Sequence, residues 1–257
     1  MEKKIIFIVI SLFLFLSYGF ALEVVNSSFN DKSEQKGLEA RIKSIEQSKY
    51  YIFNSEINFN SLAESSKIAY DDSGKITFME TYGSENFLIC RYEYCYDKNG
   101  RLKKTLLYKQ DNNLSYKKLN KYDSKGFITR QIVFDKKAKR TSCTFYKNDE
   151  QGRVIEEEQL DANNKTALSY ITKKYDNQGN IVEMCHSTER DGKTEKYLYY
   201  YDSENHMTGR DYFDESGNLI ESLRYKYEYD ENGNWVQRTI TNMNMLVFVE
   251  KRDIIYF

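Results

Sequence analysis

The stretch that decides the fold is "YKYEYDENGNW", residues 225–235, near the end of the chain. Tyrosines occupy alternate positions and charged residues fill the gaps, which is the period of a β-strand with one aromatic face. The Asn232-Gly233 pair that follows is a strong hairpin signal, because both residue types tolerate a positive φ. The stretch therefore predicts a strand, a tight turn and a returning strand that begins near Trp235.

The same unit recurs along the chain at a nearly constant spacing. Six copies begin with a tyrosine followed by an aspartate: Tyr70, Tyr96, Tyr122, Tyr175, Tyr201 and Tyr229. A longer copy begins at Tyr146. The turn glycines lie 26, 26, 26, 27 and 54 residues apart: Gly74, Gly100, Gly126, Gly152, Gly179 and Gly233. Asn205 stands where the copy at Tyr201 lacks its glycine.

Each copy also carries an apolar residue two positions after the turn. These residues form a column along the repeats: Ile76, Leu102, Ile128, Val154, Ile181, Met207 and Trp235. A fixed period with a fixed apolar column indicates a repeat protein in which each unit packs on its neighbours. A second, weaker turn lies about halfway along the units, as in "KQDNN" at 109–113 and "LDANN" at 160–164. Each unit therefore predicts one β-hairpin.

We expect an all-β fold, a long curled antiparallel β-meander with a short N-terminal helical or cap segment. About seven hairpin repeats give about fourteen strands, each of ordinary length. Right-handed twist accumulated over so many strands curls the sheet and buries the stripe of tyrosines and column residues. A flat single layer is the alternative. The pattern leaves open whether the sheet closes, spirals or stays open.

The repeated Tyr-Asp-x-x-Gly motif, with alternating tyrosines before it, resembles the YD repeat of Rhs-type exported bacterial proteins. The ending, "GNWVQRTI" at 233–240 with "EKRDIIYF" at 250–257, is similar to the closing strand pair of short secreted proteins of this kind. The resemblance covers residues 68–257 and implies a short form that lacks a toxin domain. It also implies a scaffold whose repeat supplies no catalytic residue.

Residues 1–21 have the features of a secretory signal peptide. Two lysines precede an apolar run from Ile5 to about Tyr18, and Gly19-Phe20-Ala21 provides a small-x-small cleavage site. The apolar run is shorter than the ~20 residues of a membrane-spanning helix. We therefore expect cleavage after Ala21 and an exported protein, located in the periplasm, at the cell surface or outside the cell.

Two segments of different character precede the repeat domain at 68–257. Residues 22–48 are polar and carry Leu38, Ile42 and Ile45 at helical spacing, which favours a short helix over 38–48. Residues 49–67 are expected to form an N-terminal cap, because an unpaired strand edge in the first repeat would invite aggregation.

The chain has four cysteines, which in an exported protein raise the question of disulfides: Cys90, Cys95, Cys143 and Cys185. Pairing the predicted strands about their turns places no cysteine opposite another. We therefore expect free, partly buried thiols, although a bridge between distant strands remains open.

The residues that could carry chemistry are few and scattered. His186 and His206, the two histidines, could approach across a turn with Cys185 nearby, but a zinc site needs three or four convergent ligands. Glu156 and Glu158 could serve a glycan hydrolase, which needs two carboxylates. On an exposed strand such a run is more often a solvated face. We expect no catalytic residue, no metal and no cofactor.

The sequence favours a non-catalytic repeat scaffold that presents a β-sheet surface to a protein or a glycan at the cell envelope. With 38 basic and 39 acidic residues interspersed, the chain has no basic patch for nucleic acid. The membrane is expected to meet only the signal peptide. Two alternatives are an envelope glycan hydrolase and an outer-membrane β-barrel. Lys103 and Lys104 put charge on both faces of one strand, which argues against the barrel.

Overall fold

The computed structural model describes residues 42–53, 56–188, 192 and 194–257. They form sixteen antiparallel strands, each hydrogen-bonded to its neighbours in sequence. The strands are β1 (Ile42–Phe53), β2 (Glu56–Tyr70), β3 (Ile76–Gly83), β4 (Leu88–Tyr96), β5 (Leu102–Lys109), β6 (Leu114–Tyr122), β7 (Ile128–Asp135), β8 (Arg140–Asn148), β9 (Val154–Asp161), β10 (Ala167–Tyr175), β11 (Ile181–Ser187), β12 (Glu195–Tyr201), β13 (Met207–Phe213), β14 (Leu219–Tyr229), β15 (Trp235–Asn242) and β16 (Met245–Tyr256). Within this part of the chain, no helix has the length and apolar character needed to cross a bilayer.

The sheet closes on itself because β1 pairs with β16. Ile45 lies opposite Ile254, and Tyr51 lies opposite Phe248. The expectation of a curled meander is therefore wrong: the fold is all-β, but it is a closed barrel of sixteen strands. Closure removes both sheet edges, which is a complete solution to the edge problem that a cap was expected to solve.

The expected N-terminal helix and cap are wrong for a definable reason. Residues 42–48, expected in the helix, belong to β1, and the cap region contributes the rest of β1 and most of β2; residues 1–41 lie outside the described part. A β-bulge between Ile42 and Ser44 shifts the register of β1 against β16. It brings Ile42 and Ile45 onto the same buried face, although they are three residues apart. The bulge therefore gave two buried residues of a β-strand the three-residue spacing that is typical of a helix.

The hairpin turns form two rings at the two ends of the barrel. The glycine rim contains the start of β1, the end of β16 and these connections: β2–β3, β4–β5, β6–β7, β8–β9, β10–β11, β12–β13 and β14–β15. The asparagine rim contains the remaining connections: β1–β2, β3–β4, β5–β6, β7–β8, β9–β10, β11–β12, β13–β14 and β15–β16.

The turns of the glycine rim share one hydrogen-bonded geometry. In the β4–β5 turn, the Gly100 amide donates to the Asp97 carbonyl at 2.9 Å, and the Asp97 amide donates to the Arg101 carbonyl at 2.9 Å. The Asp97 carboxylate accepts the Asn99 and Arg101 amides at 2.9 and 3.0 Å. Gly100 has φ +76°, a conformation that glycine adopts without strain. Asn205, with φ 70°, occupies this position in the β12–β13 turn.

Most described turns of the asparagine rim repeat this geometry, and all but one of these have a residue other than glycine in the left-handed position. In the β5–β6 turn, the Asn112 amide donates to the Lys109 carbonyl at 2.9 Å. The residues with positive φ in turns of this type are Asn86, Asn112, Ala138, Asn164 and Gly217. Asparagine tolerates this conformation better than most residues. The weaker turn signal in the sequence therefore comes from the same turn geometry, with asparagine as the left-handed residue in three of these five turns.

Tyrosine hydroxyls tie neighbouring strands together at the glycine rim. Each donates to the carbonyl of the first residue of a neighbouring strand: Tyr96 to Ile76, Tyr122 to Leu102, Tyr175 to Val154, Tyr201 to Ile181 and Tyr227 to Met207, at 2.6–3.0 Å. In the longer copy, the Asn148 side-chain amide makes the equivalent bond to Ile128 at 2.7 Å. The aspartate turn, the apolar column and the tyrosine therefore form one recurring joint.

The inner wall of the barrel is identified by following one register row. Directly paired residues on β1 to β5 share one face, and all of them are buried: Ile45, Ile68, Met79, Tyr92 and Leu107. We call these five residues the apolar row. Side chains converge on the concave side of a closed sheet, so this face is the interior. Tyr92, on β4, is the most enclosed residue of the row, with 0% of its surface exposed.

Candidate binding site

The inner wall of β9–β16 differs from the apolar row because it carries ion pairs. One inward-facing pair lies in each of four successive hairpins: Lys173–Glu157, His186–Glu195, Arg210–Glu221 and Arg238–Glu250. Among the described residues, the ion pairs on the inner wall all fall in these strands. We call these four pairs the ion-pair ladder. It makes this half of the wall polar.

Tyrosines surround the Glu195 carboxylate of the ladder. Tyr212 donates its hydroxyl to Glu195 at 3.0 Å, and the His186 ring nitrogen lies 3.5 Å away on the directly paired residue. The rings of Tyr197 and Tyr212 stack with their centroids 4.9 Å apart. Burial and the negative charge of Glu195 raise the pKa of Tyr212 to about 12. Tyr212 therefore remains a neutral hydrogen-bond donor at ordinary pH.

Glu250 is the most enclosed acid of the ladder, with 5% of its surface exposed. Arg238 lies directly opposite and donates to it at 2.8 Å. Burial alone would raise the pKa of Glu250, but the positive charges of Arg238, Lys49 and Arg252 outweigh it and hold that pKa below its ordinary value. Glu250 is therefore ionised, and its charge is balanced within the wall.

A cleft of about 430 Å³ opens at the glycine rim beside the ladder. It lies between the β10–β11 turn and the end of β12, and its polar lining includes Asn177, Gln178 and Asp202. Tyr199, Tyr200 and Tyr201 form its aromatic side. The Tyr200 hydroxyl donates to Asp211 at 2.7 Å, which fixes the ring while leaving it 38% exposed. Aromatic rings beside amide and carboxylate groups can bind a ligand that is both apolar and polar.

The structure places the residues of the sequence repeat at the glycine rim. These are the turn glycines, the tyrosines that precede the turns and Trp235, the first residue of β15. Trp235 packs under the Arg252 guanidinium, which lies 3.4 Å from the ring centroid. Of the tyrosines singled out in the sequence, Tyr201 lines the cleft. The others serve the joint between strands or its neighbourhood.

The other candidate residues are not brought together. His186 lies on the inner wall near the asparagine rim, whereas His206 lies in a turn of the glycine rim, 3.4 Å from Asp202. In the described ranges no three His, Cys, Asp or Glu side chains gather as a metal site. Cys185 lies opposite Thr172 and Cys143 opposite Leu160, and all four cysteines are free thiols.

Glu156 and Glu158 lie on the outer wall, on one face of β9, while Glu157 between them points inward to Lys173. Glu156 contacts the Lys147 ammonium and accepts the Tyr170 hydroxyl at 2.9 Å. The two carboxylates thus lie on a strand face and not in the cleft.

The ion-pair ladder is the feature that sequence reasoning missed. Its signal lay in single charged residues within tyrosine-bearing strands: Glu195 in β12, Arg210 in β13 and Glu221 in β14. The period alone does not reveal which charges face inward, since that depends on which face of the sheet becomes concave.

Comparisons with known proteins bear on the fold. The chain matches no protein-family model, and no curated protein matches it. Among solved structures, a porin-like protein from Bacteroides uniformis has a TM-score of 0.54 and 12% identity, covering 83% of this chain and 98% of that one. A porin-like protein from Bacteroides vulgatus covers 85% of this chain and 99% of that one, with a TM-score of 0.35 and 14% identity.

A further match, the Tc holotoxin pore of Photorhabdus luminescens, has a TM-score of 0.35 and 16% identity over 80% of this chain and 11% of that one. Of these three likenesses, the one to the Bacteroides uniformis protein has the highest TM-score, 0.54, and supports a shared fold. In fold, the chain is similar to a porin-like closed barrel. The assignment to the YD-repeat family of Rhs-type proteins is therefore wrong.

Proposed function

We propose that this chain works in the cell envelope as a closed barrel that binds a glycan at the glycine rim without converting it. The observation that carries the proposal is the rim cleft, which places tyrosine rings beside the exposed amide side chains of Asn177 and Gln178. A sugar ring presents apolar C–H faces and polar hydroxyl edges, and this lining offers a partner for each.

The charge balance of the neighbouring inner wall favours a neutral ligand. Three pairs of the ladder, Lys173–Glu157, Arg210–Glu221 and Arg238–Glu250, each join one cation and one anion, so their charges balance on the wall beside the cleft. A strongly charged ligand would have to displace such partners, and removing one partner from an enclosed ion pair is unfavourable.

The geometry gives less support to a glycan hydrolase. Such an enzyme needs two carboxyl groups on either side of the scissile bond, about 5 to 10 Å apart. Glu156 and Glu158 are neighbours on an outer strand face, and Glu156 is engaged by Lys147 and Tyr170. Binding without turnover is therefore the function that fits the arrangement better.

Glycan-array screening followed by titration calorimetry tests the proposal. Asn177→Ala with Gln178→Ala should weaken binding at least 10-fold, because these exposed side chains line the cleft. Lys98→Ala with Asn99→Ala is the matched control, since it changes the same positions of the β4–β5 turn. Binding that survives the first pair of changes, or that falls equally in the control, would rule out the cleft as the site.

A second candidate is an outer-membrane barrel, which the likeness to a porin-like fold favours. Barrels of sixteen strands are wide enough to hold an aqueous channel. The outer wall weighs against this candidate, because it is charged along its length: Glu80, Arg91, Glu93, Lys104, Lys117, Arg130, Glu156, Glu158, Glu183, Lys196, Arg224, Lys226 and Lys251. A lysine or arginine facing lipid at the bilayer midplane is destabilising by about 2–4 kcal/mol.

Fractionation of the envelope separates these two candidates. A membrane-spanning barrel stays in the pellet after extraction at high salt and high pH, and forms conducting channels when reconstituted in planar bilayers. The glycan-binding barrel is released by this extraction and gives no conductance. Retention in the pellet together with conductance would make the channel the better assignment.

A further inference from the structure

Both rims of the barrel carry exposed apolar side chains, but these are spread more widely at the asparagine rim. At the glycine rim, Ile255 and Phe257 lie together at the end of β16, and Tyr229 ends β14. At the asparagine rim the exposed apolar residues lie in or beside four different hairpin turns: Phe87, Leu168, Leu219, Met243 and Met245. They are 44–69% exposed, and Met245 is the most exposed of them. We call these five residues the apolar tips. They are spread around the circumference and do not form a single patch.

The rims also differ in charge. The connections of the glycine rim contain eleven acidic residues: Asp71, Asp72, Asp97, Asp123, Asp149, Glu150, Asp176, Asp202, Glu204, Asp230 and Glu231. They contain five basic residues: Lys75, Lys98, Arg101, Lys125 and Arg153. At the asparagine rim, the described turns hold four acidic and four basic residues, so the acidic excess is absent: Glu85, Asp111, Asp214 and Glu215 against Lys136, Lys137, Lys139 and Lys165. Lys136, Lys137 and Lys139 are exposed together in the β7–β8 turn. The β15–β16 turn, residues 243 and 244, carries no charge.

We infer that the asparagine rim docks on an anionic lipid surface, with the barrel standing on the membrane and the glycine rim facing away. A planar surface can meet tips spread around a ring at the same time, whereas a protein partner would need them gathered in one patch. Apolar side chains enter the boundary between headgroups and acyl chains, and lysines are attracted to anionic headgroups. The acidic glycine rim is repelled by the same surface.

This docking is peripheral and differs from a barrel that spans the membrane. Docking by the apolar tips keeps the charged outer wall in water and requires only the tips themselves to enter the lipid. It also directs the rim cleft toward the aqueous side, where a ligand can reach it. The inference does not depend on what the cleft binds.

Vesicle flotation provides the first test. The protein is purified in the processed form that the cell exports. It is then mixed with vesicles of phosphatidylcholine with or without phosphatidylglycerol. We expect flotation with the anionic vesicles and at least 10-fold weaker binding without phosphatidylglycerol. Lys136→Gln, Lys137→Gln and Lys139→Gln together should remove most of that difference. Equal binding to both vesicle types, or no binding, would overturn the inference.

Matched variants of the two rims provide the second test. Leu219→Ser, Met243→Asn and Met245→Ser should together weaken binding about 10-fold; asparagine at 243 suits the positive φ of that turn. Ile255→Ser with Phe257→Ser is the control, because these residues are each 56% exposed but lie at the glycine rim. Circular dichroism verifies the fold of both variants. An equal loss of vesicle binding in the control would contradict docking by the tips. So would a protein that binds no vesicles but forms dimers, if the first variant dissociates those dimers.

The native tryptophan supplies a test of orientation. Trp235, the only tryptophan in the chain, lies at the glycine rim. Brominated lipids should leave its emission unchanged, but should quench the added emission of Met245→Trp. A spanning barrel would bring both rims to lipid, so strong quenching of Trp235 would refute the proposed orientation.

Discussion

The two halves of the inner wall are built in opposite ways from the same hairpin unit. On β1–β5 the apolar row packs Ile45, Ile68, Met79, Tyr92 and Leu107 side by side. On β9–β16 the corresponding interior carries the ion-pair ladder and stacked tyrosines. The turns and tyrosine joints continue through both halves. A repeat can therefore hold the architecture constant while the inward side chains change from a core to a polar wall.

The apolar row and the ion-pair ladder are expected to contribute differently to the stability of the barrel. The apolar row stabilises by burial, because each of its side chains is removed from water. Enclosed ion pairs add little net stability, since desolvation offsets much of the attraction between the charges. The ladder adjoins the rim cleft, so pairs of charges that add little net stability lie next to the proposed binding site.

The largest effect is expected at Tyr92, the most enclosed side chain of the apolar row. Tyr92→Ala should lower the free energy of unfolding by about 3–5 kcal/mol, because it leaves a cavity where the ring is fully enclosed. Urea denaturation followed by far-ultraviolet circular dichroism measures this change. Tyr92→Phe keeps the ring and should lose much less. A small loss in Tyr92→Ala would mean that the row is not the main core.

A smaller loss is expected when one ladder pair is broken. Glu250→Gln leaves the Arg238 charge without its partner and should lower the free energy of unfolding by about 3 kcal/mol. Combining Arg238→Met with Glu250→Leu should recover much of that loss, since no charge is then left unpaired. If the double variant is as unstable as Glu250→Gln, the two halves do not differ in the way described.

Acid pH should weaken the Glu250 pair of the ladder and should remove a part of the roughly 3 kcal/mol of stability that Glu250→Gln loses. The pKa of Glu250 is lower in the folded state than in the unfolded chain, so the unfolded chain binds the proton first as pH falls. The stabilisation is present above the ordinary glutamate pKa and is lost as pH falls through the folded pKa. We expect wild-type stability to fall more steeply below about pH 4.5 than that of Glu250→Gln. Parallel curves from urea unfolding at several pH values would contradict the assignment.

The smallest effect should be the same at a turn outside the strands of the ladder, β6–β7, and at a turn within them, β10–β11. Gly126 and Gly179 have φ +90° and +91°, and each has room for a side chain, so Val at either position is strained by its backbone conformation. Gly126→Val and Gly179→Val should each lower the free energy of unfolding by about 1–2 kcal/mol. Thermal unfolding compares them. Clearly unequal losses would show that the turns, and not only the wall, differ between these two parts of the barrel.

The repeated joint could be predicted from the sequence because its information is local. The Tyr-Asp-x-x-Gly spacing predicted the strand, the turn and the strand that begins at each column residue, and the described turns have the expected positive φ at Gly126 and Gly179. The copy without glycine fits as well, because Asn205 adopts the same conformation.

Closure could not be predicted, because its information is not local. β1 lacks the repeat motif, and its bulge gave Ile42 and Ile45 a helical spacing. The ladder was missed for a related reason: Glu221 shares a strand face with Tyr225 and Tyr227, and only the curvature of the closed sheet makes that face the inner one. The cleft unites side chains from β10–β12, a combination that no single repeat unit reveals.

The seam between β1 and β16 has a consequence for how the chain acquires its structure. Most strand pairings join neighbours in sequence, so hairpins can form early and independently. The seam joins residues as distant as Gln47 and Arg252, which are 205 positions apart and linked by a 2.9 Å hydrogen bond. Contacts of such separation form slowly, because the ends of a long chain must first meet. The barrel is therefore completed only when β16 is in place, and a chain cut short of β16 would keep two open edges.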